Sequence, residues 1–109
     1  MEKNLIKCVP YEGNKNASIV YETKELIALC PKTGLPDIYT LKITYTPNAF
    51  IPELYSLKKY LSEYIHIKIF IETLASDIFN DFKTIIKPID ISLILSESNP
   101  FGLYPSVYL

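Results

Sequence analysis

Two stretches in the first half of the chain predict β-strands. Residues 17–29 favour a strand because they include many β-branched, aromatic and aliphatic side chains. From Ile38 to Thr44 large apolar side chains alternate with polar ones, which is typical of a half-buried antiparallel strand. The apolar face carries Tyr39, Leu41, Ile43 and Tyr45, and the polar face carries Thr40, Lys42 and Thr44. The short connection between the two stretches predicts a hairpin.

The hydrophobic period changes to that of a helix after Pro47 and Pro52. The first predicted helix has apolar residues spaced by three or four positions: Leu54, Leu57, Leu61 and Tyr64. A longer helix is predicted over residues 69–86, where every fourth position is apolar: Phe70, Leu74, Ile78, Phe82 and Ile86. Pro88 ends this helix, because proline lacks the N–H that a helix interior needs.

The last part of the chain predicts two further strands, over residues 89–95 and 103–109. The order ββααββ is typical of an α+β fold in which two helices cover one face of an antiparallel sheet. We expect one domain over residues 1–109, in which residues 1–16 form an irregular lead-in. A small sheet of this kind leaves its edges exposed, so we also expect assembly into rings.

The composition is that of a globular domain. Apolar residues make up 49% of the chain and charged residues 21%, and no apolar run has the roughly 18 residues that a membrane span needs. We therefore expect a cytoplasmic protein without a membrane partner. Cys8 and Cys30 are too few for the disulfide framework of a secreted domain. A single bridge between them remains open at this stage.

The charge pattern gives no strong indication of a nucleic-acid partner. The net charge is −1, and all 11 basic residues are lysines, so the chain lacks the arginines that usually clamp phosphates. Two lysine pairs, Lys58-Lys59 and Lys83/Lys87, could form local basic patches or simply be solvated helix surface. The 9 tyrosines fit a sheet surface, an oligomer interface or stacking on bases.

The stretch CPKTGLPD, residues 30–37, is the candidate for chemistry. Two prolines fix backbone angles within it and Gly34 permits a positive φ, so Asp37 returns to the sheet in a restricted position close to the Cys30 thiol. The carboxyl group cannot lower the thiol pKa, because like charge opposes the thiolate. It can exchange a proton with the thiol or with a substrate nitrogen. An ordinary turn is the alternative interpretation.

Four motifs in this order resemble the 7-cyano-7-deazaguanine reductase family (QueF) of tunnelling-fold enzymes. CPKTGLPD resembles that family's CPxTGxPD signature, and ELYSLKKY, residues 53–60, resembles its helix-opening motif. FIE, residues 70–72, stands where the family has Phe-His-Glu, and PFGL, residues 100–103, stands where it has Pro-Arg-Gly-Gly. The resemblance covers residues 17–109 and implies a tunnelling fold (T-fold) assembled as stacked rings, typically pentamers that form a decamer.

The resemblance implies a deazaguanine pocket at a subunit interface. In that pocket Cys30 is the nucleophile that adds to the nitrile carbon and forms a thioimide, and Asp37 is the general acid/base for the nitrile nitrogen. Glu72 accepts hydrogen bonds from the guanine-like edge. The remaining pocket residues implied by the motifs are Glu53, Leu54, Ser56 and Ile71. Without the resemblance, Glu72 would be a solvated helix carboxylate and Glu53 a residue that complements the helix dipole.

The departures from the family pattern concern the reductases' nicotinamide cofactor. Tyr55 and Phe101 replace the lysine and arginine that belong to its phosphate site, Leu103 replaces a glycine, and Ile71 replaces the histidine. Losing two charge-assisted phosphate contacts, at about 1.5–3 kcal/mol each, weakens cofactor affinity by roughly two to four decades. His66 lies five positions before Ile71 and points elsewhere on a helix, so it and Cys8 have no assigned role.

These departures favour the short archaeosine synthases of the family, the QueF-like members. They convert 7-cyano-7-deazaguanine in tRNA to the formamidine with ammonia, so the partners implied here are tRNA and ammonia, with no cofactor and no metal. Two alternatives stay open. One is an NADPH-dependent nitrile reductase of queuosine biosynthesis, and the other is a non-catalytic deazapurine-binding module or structural oligomer.

Overall fold

Six strands and two helices are seen in the computed structural model, which describes residues 1–97 and 102–109. The strands are β1 (Cys8–Pro10), β2 (Ile19–Leu29), β3 (Pro36–Thr46), β4 (Phe50–Pro52), β5 (Asp90–Glu97) and β6 (Ser106–Tyr108). The helices are α1 (Leu54–Ser62) and α2 (Ile71–Ile86). Short 3-10 turns cover Lys3–Leu5 and Glu63–His66. No helix in the described part of the chain is long and apolar enough to span a membrane.

The main sheet has four antiparallel strands in the order β2-β3-β5-β6. The predicted ββααββ order and the α+β class are therefore confirmed. The predicted fourth strand is shorter than expected, since β6 covers only Ser106–Tyr108. A second, two-stranded sheet pairs β1 with β4 and was not predicted, because three-residue strands are too short to show an alternation.

The expectation that residues 1–16 are irregular is wrong in part. This segment contains the first 3-10 turn and β1, and Ile6 is only 3% exposed within the core. Two contacts attach it to the start of α1: the Glu53 N–H donates to the Lys7 carbonyl at 2.7 Å, and the Lys7 N–H donates to Ser56 Oγ at 2.9 Å. The segment is thus part of the fold.

The core lies between the main sheet and the two helices. On β3 the predicted apolar face, from Tyr39 to Tyr45, is buried. It packs against the buried stripe of α2, and the rings of Tyr45 and Phe82 meet edge to face with centroids 5.1 Å apart. Phe70 was expected on that stripe, but it precedes the first turn of α2 and is 62% exposed. Lys87, at φ 51°, ends the helix before Pro88.

Helix α2 runs the length of the sheet from the end at which β2 stops. A parallel bridge joins Leu29 to Lys68, with the Leu29 N–H donating to the Ile67 carbonyl at 2.8 Å and the Ile69 N–H donating to the Leu29 carbonyl at 3.0 Å. After the helix, the Ile89 N–H donates to the Thr46 carbonyl at the opposite end. The first turn of α2 therefore lies at the same end of the sheet as the turn between β2 and β3.

Candidate active site

The turn that follows β2 is closed by backbone hydrogen bonds. The Cys30 N–H donates to the Leu35 carbonyl, and the Gly34 N–H donates to the Cys30 carbonyl, both at 2.8 Å. Gly34 has a φ of 71°, a left-handed conformation that a side chain would strain. The Leu35 N–H donates to Thr33 Oγ1 at 3.2 Å. The predicted stiff loop is therefore a compact turn that fixes the position of Cys30.

The turn also favours the thiolate form of Cys30. A hydrogen bond from the Thr33 side chain, followed by hydrogen bonds from the backbone N–H groups of Thr33 and Lys32, lowers the pKa of the thiol below its ordinary value. Desolvation and the charge of Asp37 act in the opposite direction, but they are smaller. The carboxylate thus opposes the thiolate, as the sequence argument required. The activating donors, and Thr33 above all, were not identified from the sequence.

A β-bulge in β2 directs Cys30 toward the core face of the sheet. Thr23 is paired with Leu41 and Leu26 is paired with Tyr39, so β2 contains one residue more than β3 between these pairs. The bulge absorbs this extra residue, and Leu26 and Ala28 then lie on the buried face. Cys30 is the next residue on that face. A β-bulge changes the face of the sheet on which the following side chains lie, and here it places Cys30 on the core face.

Two carboxyl groups lie on the same face beside this turn. Asp37 is paired with Ala28 of β2, and Glu97 is paired with Tyr39, so Asp37 and Glu97 are diagonal neighbours across β3 and β5. The Tyr39 hydroxyl lies 3.5 Å from Asp37 Oδ2. Burial, with the neighbouring carboxylates, raises the pKa of Tyr39 above its ordinary range, so it stays a neutral donor. Glu97 was missed in the sequence because a carboxylate that ends a strand gives no motif.

The first turn of α2 brings Glu72 to the same end of the sheet. Lys68, which bridges to Leu29, lies four residues before Glu72, and the backbone of this segment runs directly beside Cys30. The carboxylate of Glu72 is exposed, and Ile71 beside it is 8% exposed and packs in the core. Within one chain the fold therefore places Cys30, Asp37 and the leading acid of α2 at one end.

The other predicted pocket residues lie toward the opposite end. Glu53 caps α1, its carboxylate accepting from the N–H groups of Tyr55 at 2.7 Å and Ser56 at 2.8 Å. These hydrogen bonds lower the Glu53 pKa. Ser56 is 5% exposed and holds the N-terminal segment through Lys7. Leu54 lines an apolar cavity of about 670 Å³ between α1 and the sheet. One chain thus does not bring Glu53, Leu54 and Ser56 beside the thiol.

Sequence comparison identifies relatives of this chain. A family profile described as QueF-like protein matches residues 36–97. The NADPH-dependent 7-cyano-7-deazaguanine reductase of Caldicellulosiruptor bescii is 36% identical over 89 residues, which are 81% of this chain and 68% of the relative. The reductase of the same description from Pelodictyon phaeoclathratiforme is 37% identical over 95 residues, 86% of this chain and 82% of the relative. The chain belongs to the QueF-like protein family.

A solved structure supports the fold. The crystal structure of the archaeosine synthase QueF-Like in the apo form superposes with a TM-score of 0.79, covering 90% of this chain and 94% of the other. At 18% identity this similarity concerns the fold alone, and it confirms the T-fold expected from the motifs. The expected rings remain a prediction. Family membership, in contrast, covers both nitrile reductases and archaeosine synthases, so it does not choose between them.

The positions that depart from the QueF-like family pattern are only partly visible in the structure. Tyr55, in the first turn of α1, is 76% exposed, and Leu103 is 69% exposed. Pro100 and Phe101 lie outside the described residues. Cys8 and Cys30 are both free thiols, so the bridge left open by the sequence is not formed. His66 is exposed at the end of the second 3-10 turn, away from the position that the family motif gives to histidine.

Replacing Thr33 with valine is expected to raise the Cys30 pKa, because the largest of the contributions that lower it is lost. At neutral pH the thiolate fraction falls, so alkylation by iodoacetamide slows severalfold and its pH profile moves to higher pH. The measurement uses a Cys8→Ala background, since Cys8 is exposed and also reacts. Thr33→Ser, which retains the hydroxyl, is the control. An unchanged profile in the valine variant contradicts the role of the hydroxyl.

Proposed function

We propose that this chain is an archaeosine synthase-type amidinotransferase, which converts 7-cyano-7-deazaguanine in tRNA to the formamidine with ammonia. The observation that carries the proposal is the pairing of an activated thiol, Cys30, with the carboxyl group of Asp37 on the adjacent strand, in a chain where Tyr55 stands in place of a cofactor-binding lysine. The thiol and the carboxyl group provide the chemistry of nitrile addition. The aromatic replacement removes a phosphate anchor.

The reaction proceeds in two balanced steps. The sulfur of Cys30 forms a bond to the nitrile carbon, and the electron pair released from the C≡N bond takes a proton from Asp37, which gives a thioimide. Ammonia then adds to the thioimide carbon and returns a proton to Asp37, and the thiolate leaves. The net change is addition of ammonia to the nitrile, without oxidation or reduction. Glu72 binds the donor edge of the base.

The residues present fit the phosphates of NADPH poorly. The motif position that provides a lysine is an exposed tyrosine, and no arginine exists in the sequence to replace the missing cation. Lys58 and Lys59 remain exposed on α1, but they are flexible point charges without the fork of an arginine. No step of the proposed reaction depends on this cofactor.

Two lysines beside the thiol support a tRNA partner. Lys32 lies in the turn itself, and Lys68 lies on the segment that bridges to Leu29, with its side chain beside Gly34 of the turn. Both side chains are exposed, so they can contact phosphates on either side of a base bound at Cys30. Lys83 and Lys87, in contrast, lie at the far end of α2. Two cations therefore lie at the exposed rim beside the thiol, although the net charge of the chain is −1.

The second candidate is a nitrile reductase, and it is favoured by the relatives described as NADPH-dependent reductases. The decisive experiment supplies tRNA containing 7-cyano-7-deazaguanine together with ammonium and no nicotinamide. The expected product is the nucleoside increased by the mass of one ammonia. A strict requirement for NADPH, with an aminomethyl product, supports the reductase instead. Stabilisation by the deazaguanine without any product identifies a binding module.

A further inference from the structure

Asp37 and Glu97 form a pair of neighbouring carboxyl groups at the thiol. Both lie on the core face of the sheet, where Glu97 of β5 is opposite Tyr39 and therefore diagonal to Asp37. The Tyr39 hydroxyl, 3.5 Å from Asp37 Oδ2, belongs to the same cluster. Two ionised carboxylates offer only acceptors to each other, so these neighbours can share a hydrogen bond only when one of them keeps a proton. Both groups are half-buried, which makes the second negative charge costly.

The surroundings favour a single negative charge on this pair. The titratable groups at this end of the sheet come from each packed strand and from the segment leading into α2: Cys30, Asp37, Tyr39, Glu72 and Glu97, with Lys32 and Lys68 at the exposed rim. Desolvation, followed by the charge and hydrogen bond of Asp37, raises the pKa of Glu97 above its ordinary value. The thiolate of Cys30 adds further negative charge nearby. A shared proton relieves part of this repulsion.

We propose that Glu97 is a positioning residue that holds a proton in common with Asp37, so that a protonated carboxyl group faces the Cys30 thiolate at neutral pH. This inference rests on the proposed function, because the proton is destined for the nitrile nitrogen. When sulfur bonds to carbon, Asp37 gives up the shared proton and the pair becomes a dicarboxylate. Attack by ammonia returns the proton, and the pair regains its starting charge.

The carboxyl pair allows the thiol to be deprotonated while the acid beside it is still protonated. Nitrile addition needs a deprotonated thiol and a protonated acid at the same pH, although a lone aspartic acid is ionised well below the pH at which a cysteine becomes a thiolate. The turn donors lower the pKa of Cys30. Because of the second carboxyl group, Glu97, the pair keeps one proton up to a higher pH than a single carboxyl group would. The two groups can then be reactive in the same pH range.

Glu97→Gln tests the proposal with two readouts in the full chain. The variant lacks the second carboxyl group of the pair, so the shared proton is lost at lower pH. The rate of thioimide formation with free 7-cyano-7-deazaguanine, followed by intact mass, is then expected to fall about tenfold at pH 7 for each pK unit lost. The descending limb of the variant's pH–rate profile moves to lower pH, and at acidic pH the rates of the variant and the wild type become equal. Alkylation of Cys30 by iodoacetamide reports whether the thiol is unaffected. Glu22→Gln, an exposed strand carboxylate opposite Lys42, is the matched control.

The second readout does not depend on nitrile chemistry. Carbon-13 NMR titration of the carboxyl groups in the unliganded protein is expected to show a pair with one raised midpoint, which disappears in Glu97→Gln. Independent titration of Asp37 and Glu97 at ordinary values overturns the shared proton. If the wild type forms adduct and Glu97→Gln has the same pH profile, the inference fails while the proposed function stands. If the wild type forms no adduct, the proposed function fails, and the titration alone decides whether the pair exists.

Discussion

Cys30→Ala is expected to abolish the covalent adduct with 7-cyano-7-deazaguanine completely. The wild-type chain is expected to gain one ligand mass in intact-mass measurements, because the turn holds Cys30 at the end of β2 and its hydrogen-bond donors lower the pKa of the thiol. The alanine variant has no atom that can bond to the nitrile carbon. Amidine formation on tRNA is lost as well, since the thioimide is the only species that ammonia attacks in the proposed route.

The control for this loss is the other free thiol. Cys8→Ala leaves the adduct and its rate unchanged, because Cys8 lies on β1, which pairs with β4 away from the β2–β3 turn. Thermal unfolding of Cys30→Ala, with and without the deazaguanine, shows whether the base still binds. A correctly folded wild-type protein that gains no mass contradicts the thioimide mechanism directly.

The order of the large elements could be predicted because periodicity is a local signal. The alternation on β3 and the four-residue spacing on α2 both reflect burial on one face, and the structure buries those residues. The same signal failed for β1 and β4, which are three residues long and stabilised by pairing between distant segments. It also failed at Phe70, where an apolar residue extends the spacing but lies before the helix.

The candidate site was only partly predictable, because its geometry depends on register. Cys30 and Asp37 could be identified from one stretch of sequence. The bulge between Thr23 and Leu26 is not visible there, although the consecutive charges of Lys24 and Glu25 interrupt the alternation at that point. The position of Glu97 opposite Tyr39 follows from the pairing of β3 with β5, and no local pattern contains it.

The two groups of predicted pocket residues raise a question of assembly. Glu72 lies at the Cys30 end of the sheet, whereas Glu53 caps α1 toward the other end. If both border one deazaguanine, as the motif resemblance implies, they come from different copies of the chain. We therefore expect that the pocket is complete only in an oligomer. In a single chain the roles of Glu53 and Ser56 are structural, since they cap the helix and fix the N-terminal segment.

Asp37→Asn is expected to slow thioimide formation by about two to four orders of magnitude at neutral pH, the usual contribution of a general acid. The amide fills nearly the same volume but cannot give a proton to the nitrile nitrogen. The same variant is expected to alkylate with iodoacetamide faster than the wild type below the thiol pKa. The reason is that the share of the carboxyl pair's negative charge on Asp37 raises the pKa of Cys30. The substitution leaves that charge on Glu97, one strand farther from the thiol, so the thiolate fraction increases.

Slower thioimide formation together with faster alkylation distinguishes an acid catalyst from a structural residue. A variant that merely loosens the turn slows nitrile addition and also disturbs the environment of the thiol. Loss of the acid alone increases the thiolate fraction of Cys30 but slows the addition of its sulfur to the nitrile. Asp90→Asn is the control, since Asp90 accepts from the Thr46 N–H at the opposite end of the sheet and is exposed. If Asp37→Asn forms the adduct at the wild-type rate, the proton comes from another group and the assignment of Asp37 is wrong.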